Sequence, residues 1–207
     1  MSAQKQIWKD KSFLLFVAKF LLLFALFYLG TLAIIGLAAP GGWYSPWVER
    51  YLDYVSWIKQ SLLWGSGKLL GWLGYPTVIR PDYVLRIEID KPGVKIAMDC
   101  VGYGVYSFWA AYILANSGKL MQKLIWIAGG IVMLWGINVG RISLLLLSNY
   151  HNRPMPLGID HHTWFNFVAY MAIFACIGWY EKQKDKDLKN KPSPSEQADD
   201  GGGPSTS

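Results

Sequence analysis

Apolar residues along this chain gather into long runs rather than alternating with polar ones. The first run covers residues 13–39, and its only charge is Lys19. A helix needs about 20 apolar residues to cross a bilayer, so this run predicts a membrane-crossing helix. A cleavable signal peptide is the competing reading, with Gly36-Leu37-Ala38 as a cleavage-like site. The apolar region of a signal peptide is only about 7–15 residues long, so an uncleaved anchor is expected. Further runs cover residues 100–115, 124–147 and 164–180, and Asn138 and Arg141 interrupt the third of them. The pattern predicts a mainly α fold, a polytopic transmembrane helical bundle of about four spans.

Between the first two runs the pattern changes. Val55, Ile58, Leu62, Leu69 and Trp72 recur at helical spacing, with Lys59, Gln60 and Ser66 on the opposite face. This predicts an amphipathic helix over 55–73 lying in the membrane interface, with Trp57, Trp64 and Trp72 suited to that depth. Were this segment to cross instead, the later spans would invert together and keep their relative sidedness. Farther on, Leu85, Ile87 and Ile89 alternate with Arg86, Glu88 and Asp90. Val94, Ile96 and Met98 alternate with Lys95 and Ala97, and Asp90-Lys91-Pro92-Gly93 lies between. That is the signal of a small extracytoplasmic β-hairpin running straight into Cys100. Residues 1–182 are expected to form one integral membrane domain. Residues 183–207 are expected to be a disordered polar tail, Pro/Ser/Gly-rich from Asn190 onward.

Composition agrees with the runs. Of 207 residues, 53% are hydrophobic and only 16% charged, against about a quarter charged in soluble domains. The net charge of +6 does not signal nucleic-acid binding, because the lysines sit at the ends of apolar runs instead of in a patch. Lys5, Lys9 and Lys11, then Lys119 and Lys123, then Lys182, Lys184 and Lys186 fall on one side of such a bundle. Positive flanking charge faces the cytoplasm, so the stretches 40–99 and 148–163 face outward. A multi-pass protein of the cell membrane is expected, with the lipid bilayer as its surroundings. Two cysteines are too few for a disulfide framework.

Polar residues at the edges of spans are costly and mark candidate chemistry. Cys100 opens the second run after Asp99, where a helix dipole and free amide hydrogens lower a thiol pKa. Its bland alternative is a small buried hydrophobe. Cys176, deep in the last run without polar company, is read as inert. Arg141 lies about 26 Å along its run from Leu124, near the outer boundary. Asn138, three residues earlier, shares its face. The alternative for Arg141 is a snorkelling side chain that reaches lipid phosphate. His161 and His162 follow Asp160 just before the fourth run, and His151 is assigned no role. A Cys, an Arg and a His thus come from separate runs at the same end. A Cys–His pair suits thiolate nucleophilic catalysis, and an arginine suits an oxyanion or a carboxylate. No metal or cofactor is called for, since a zinc site takes more Cys, His or carboxylate ligands than gather here.

These residues resemble the exosortase/archaeosortase family of membrane-embedded cysteine transpeptidases. The stretches that carry the resemblance are Asp99-Cys100-Val101-Gly102, Asn138-Val139-Gly140-Arg141-Ile142 and Asp160-His161-His162-Thr163-Trp164. They lie within residues 98–180, and Val101 stands where the family usually has a small polar residue. The resemblance implies Cys100 as nucleophile, Arg141 as oxyanion or substrate-positioning group, and His162 as general acid/base. His161 is the second choice, because the spacing from His162 to Asn166 is the more family-like. It also implies membrane-anchored substrate proteins, cleaved at a C-terminal sorting signal and passed to an acceptor. The runner-up reading is a non-catalytic membrane scaffold or assembly subunit, in which Arg141 pairs with Asp99 or Asp160 as structural glue. A thiol oxidoreductase is disfavoured by the absence of a C-x-x-C pair. Gly129, Gly130, Gly136 and Gly140 form a small-residue face that suits packing within or between chains, and the oligomeric state stays open.

Overall fold

The computed structural model describes residues 11–39, 43–80, 84–88, 93–97, 101–151 and 161–189. Over 161–166, at 185 and over 187–189 it describes the backbone alone. The elements in order are α1 (Lys11–Ala38), α2 (Pro46–Tyr51), α3 (Tyr54–Trp72), β1 (Val78–Arg80), β2 (Val84–Arg86) and β3 (Val94–Lys95). Three more helices follow, α4 (Tyr103–Ala115), α5 (Leu120–Tyr150) and α6 (His161–Lys189). The chain divides into two compact units, Met1–Ala169 and Tyr170–Ser207, with the boundary inside α6.

Among the described residues, α1 and α5 are long and apolar enough to cross a membrane. In α1 only 6% of the most apolar stretch is buried inside the protein. Leu22, Leu26 and Leu29 are all exposed. A row of exposed leucines of this length is foreign to a water-facing surface. Of the about four spans expected, these two are the ones that qualify among the described residues. The second run, 100–115, is short for a span, and the helix it forms, α4, has 13 residues. At 1.5 Å per residue that is about 20 Å, well under the roughly 30 Å of a hydrocarbon core.

Aromatic rings join α1 to α4. Phe16 meets Tyr112, Phe20 meets Phe108 at 5.3 Å edge-to-face, and Tyr28 meets Tyr103. Rising numbers on α1 meet falling numbers on α4, so the two helices run antiparallel. Edge-to-face pairs of this kind add about 0.5–1.5 kcal/mol beyond their burial. The same reversal orders α4 against α5. Lys123 Nζ donates to the Leu114 carbonyl at 3.1 Å, and Trp109 Nε1 donates to the Trp126 carbonyl at 3.0 Å. Asn138 Nδ2 donates to the Val101 carbonyl at 3.0 Å. Gly130 is the notch into which Trp109 fits; a Cβ there would lie 2.0 Å from the indole nitrogen. This glycine of the small-residue face therefore packs within the chain. Gly129, Gly136 and Gly140 meet nothing within 4 Å.

Helix α3 starts on Asp53, whose carboxylate caps the Ser56 amide at 3.1 Å. It runs in the same direction as α5. Trp135 Nε1 donates to Ser61 Oγ at 3.0 Å, and Ser66 Oγ donates to the Val139 carbonyl. Just past its end, Tyr75 meets Tyr150 and His151 at the end of α5. A Cβ on Gly65 would lie 2.6 Å from the Trp135 ring, so the glycine sets how closely the helices approach. A helix over 55–73 is present, but it follows α5 in step from Ser61–Trp135 to Tyr75–Tyr150 instead of lying across the candidate spans as an interfacial helix would, and its buried face differs from the expected one. Val55, Lys59, Leu62, Leu63, Gly65, Ser66 and Leu70 are buried, while Trp72 is 84% exposed. Lys59 and Ser66, expected on the polar face, lie inside. The reason is that α3 has two neighbours. Helix α5 covers one side and the sheet covers another, so the buried arc is wider than the apolar stripe.

The expected hairpin is present as β2 and β3, paired antiparallel with Leu85 opposite Val94. A further strand, β1, pairs with β2 on its other edge, giving the order β1-β2-β3. Its residues Val78, Ile79 and Arg80 are all exposed, which is why no alternation announced it. Leu85, Ile87, Val94 and Ile96 point inward. They join Leu62, Leu63, Leu70, Val101, Val139, Ile142 and Leu146 in one core. Helix α6 continues to Lys189, past the boundary expected at 182/183. Its last turns carry four lysines with Glu181, Gln183 and Leu188, residue types that favour helix, and Lys184 pairs with Glu181 at 3.8 Å. Residues 190–207, expected to be disordered, lie outside the described residues.

Candidate functional site

Asn138 ties the entrance of α4 to the α5 face that carries Arg141. The Asn138 amide holds the carbonyl of the residue that follows Cys100. Arg141 is three residues farther along α5, about 4.5 Å up the same face. Its side chain is 7% exposed. Val139 and Ile142 beside it belong to the core under the sheet. A buried guanidinium is costly unless it is bonded, so its position inside the fold is not that of a snorkelling surface arginine.

Gly102 explains how the chain turns at this point. It is the N-cap residue of α4, with φ +77°, a left-handed conformation that glycine adopts without steric penalty. A Cβ there would also lie 3.3 Å from Asn138 Nδ2. The amide fits over residue 102 because residue 102 has no side chain. Val101 is fully buried. The α4 entrance is thereby held in place from the α5 side.

Cys100 itself lies outside the described residues, as do Asp99 and Asp160. His161 and His162 are the first two residues of α6, and their side chains are likewise outside the described set. The structure thus joins the neighbour of Cys100 to the Arg141 face. No cluster of metal-ligating side chains occurs among the described residues. Cys176 is a half-buried thiol that forms no disulfide. His151, given no role from the sequence, has its Nε2 3.1 Å from the Tyr75 hydroxyl. Beside it, Tyr150 donates to Glu88 at 2.6 Å, tying the end of α5 to the sheet.

Sequence reasoning missed Lys59, which is 6% exposed on the core face of α3. Its signal was its spacing: it falls in phase with Val55, Leu62, Leu63 and Ser66. Burial lowers its pKa from the ordinary 10.5; Asp53 pulls the value back up and Lys95 pushes it down. Between that lowered value and 10.5 the unfolded chain binds more protons than the folded one. Stability therefore rises with pH across this window. An unfolding midpoint followed from about pH 7 to about pH 10 should climb in the parent chain and stay flatter in Lys59→Met. A parent curve without that climb would mean that Lys59 is solvated when charged.

No family model, curated protein or solved structure matches this chain.

Proposed function

We propose that this chain is a membrane-embedded thiol enzyme of the exosortase/archaeosortase kind. It would cleave a C-terminal sorting signal of membrane-anchored exported proteins and pass them to an acceptor. The observation that carries the reading is the Asn138–Val101 hydrogen bond, which sets the residue following Cys100 in sequence against the α5 face bearing buried Arg141. The exposed apolar length of α1 supports a bilayer as the surroundings. In this reading the remaining spans complete a multi-pass bundle in the cell membrane with its site on the extracytoplasmic side.

The proposed chemistry is acyl transfer. His162 takes the proton from Cys100, with His161 as the second choice. The thiolate adds to the scissile carbonyl, and Arg141 stabilises the oxygen that becomes negative. The C–N bond breaks as the histidine returns its proton to the leaving amine. This leaves an acyl thioester on Cys100. An amine-bearing acceptor or water then adds, the thioester C–S bond breaks, and the thiol is regenerated. A substrate tethered by its own apolar helix presents its cleavage site just outside the bilayer, which is where this site would need to be.

The test is thiol labelling of intact cells with a membrane-impermeant maleimide across pH, with Cys100→Ser as the blank. Cys100 is expected to label from outside with a thiolate pKa clearly below the ordinary value of about 8.5. Removing the partner in His162→Ala or Arg141→Ala should raise that pKa by about one unit or more. A thiol that does not label, or labels with an ordinary pKa indifferent to both changes, overturns the catalytic reading and leaves the scaffold reading in its place.

A further inference from the structure

A cavity of about 500 Å³ opens between α1, α3, α4 and α5. That volume is within the roughly 300–1,000 Å³ of sites that hold small molecules. Its walls carry no charged side chain. Three of its lining hydroxyl groups, those of Thr31, Tyr54 and Ser61, are engaged within the protein. Thr31 Oγ1 donates to the Phe27 carbonyl at 2.7 Å and is also bonded to the Tyr54 hydroxyl. Ser61 Oγ accepts from Trp135. The Tyr106 hydroxyl is buried beside the Asn138 amide without a well-formed hydrogen bond. A charged or strongly polar ligand would find no counter-charge here and would lose its hydration. Phe27 and Thr31 lie in the second half of α1, and Ile131 and Trp135 lie midway along α5. These are the two helices suited to crossing a membrane. At that depth the surrounding solvent is hydrocarbon.

We propose that this cavity holds one acyl chain of a bilayer lipid, entered sideways from the membrane. The inference rests on α1 and α5 crossing the bilayer and is independent of the thiol chemistry. An acyl chain matches the neutral apolar walls, needs no partner for its methylenes, and is present at high concentration wherever these helices cross.

The test uses the full chain in phosphatidylcholine nanodiscs doped with a phosphatidylcholine bearing a mid-chain diazirine. After photolysis, peptides are mapped by mass spectrometry. Labelling is expected in α4 around Tyr106 and Ala110 and in α5 around Ile131, above that of the freely exposed Leu22 and Leu26. Ala110→Trp, which fills the cavity, should reduce cavity labelling about tenfold and leave the exposed leucines unchanged. Ile58→Trp should do the same from the α3 wall. If both bulky variants fail to insert, the parent chain still decides through its labelling ratio. Insertion with labelling confined to the exposed leucines, or cavity labelling indifferent to both variants, overturns the inference alone. A chain that does not enter the discs overturns the membrane reading as well.

Discussion

Trp109→Ala should cost about 3–5 kcal/mol of stability, the usual range for removing a large buried aromatic side chain. Trp109 is 1% exposed, and its indole nitrogen bonds the Trp126 carbonyl across the α4–α5 contact. Its ring occupies the space that Gly130 leaves free. Truncation removes the packing atoms, the hydrogen bond and the register between the two helices together. The converse change is informative. Gly130→Ala sets a methyl group 2.0 Å from the indole nitrogen, so one helix must move. Overpacking of this sort costs about 1–3 kcal/mol. Trp109→Phe in the same chain should recover part of that loss, because the smaller ring vacates the contested space. The measurement is equilibrium unfolding of the single and double variants in mixed micelles. Additive losses would show that Trp109 and Gly130 are not packed on one another.

Asn138→Leu is the second large effect, and it bears on the site. The substitution keeps the branched shape of the side chain but puts a bulkier methyl group where the donor to Val101 stood. A buried carbonyl left without its partner costs about 1–3 kcal/mol. The effect should reach Cys100, because the bonded carbonyl belongs to the next residue and Gly102 shapes the turn beneath the amide. In a Cys176→Ala background, only Cys100 reports thiol reactivity. Asn138→Leu should then lower stability and also change the pH profile of Cys100 labelling. A loss of stability with an unchanged profile would make Asn138 a clamp on helix α4 alone, and would detach Arg141 from the thiol.

The hydrophobic runs determined which segments are helical. Residues 13–39 and 124–147 appear as α1 and α5 because long apolar runs satisfy their backbone only by coiling on themselves. The period-two alternation around residue 90 likewise determined β2 and β3, since only one face of that ribbon is apolar. Chemistry-bearing residues were visible because charge or polarity is rare in such runs: Arg141 and Asn138 stood out for that reason.

Other features depended on neighbours distant in sequence. Strand β1 has no buried face and exists because β2 offers it an edge. Lys59 and Ser66 are buried because α5 and the sheet both cover α3; the helix's own period puts Lys59 in phase with Val55 and Leu62 but does not tell how wide an arc is covered. The notch at Gly130 and the clamp on Val101 join positions 21 and 37 residues apart. A glycine in an apolar run reads the same whether it faces lipid, a second chain or a tryptophan. Only the packed structure showed that Gly130 faces a tryptophan while Gly136 faces open space. Local sequence carries the backbone preference and the apolar period of each element. Which face is covered, and by what, is a property of the packed elements together.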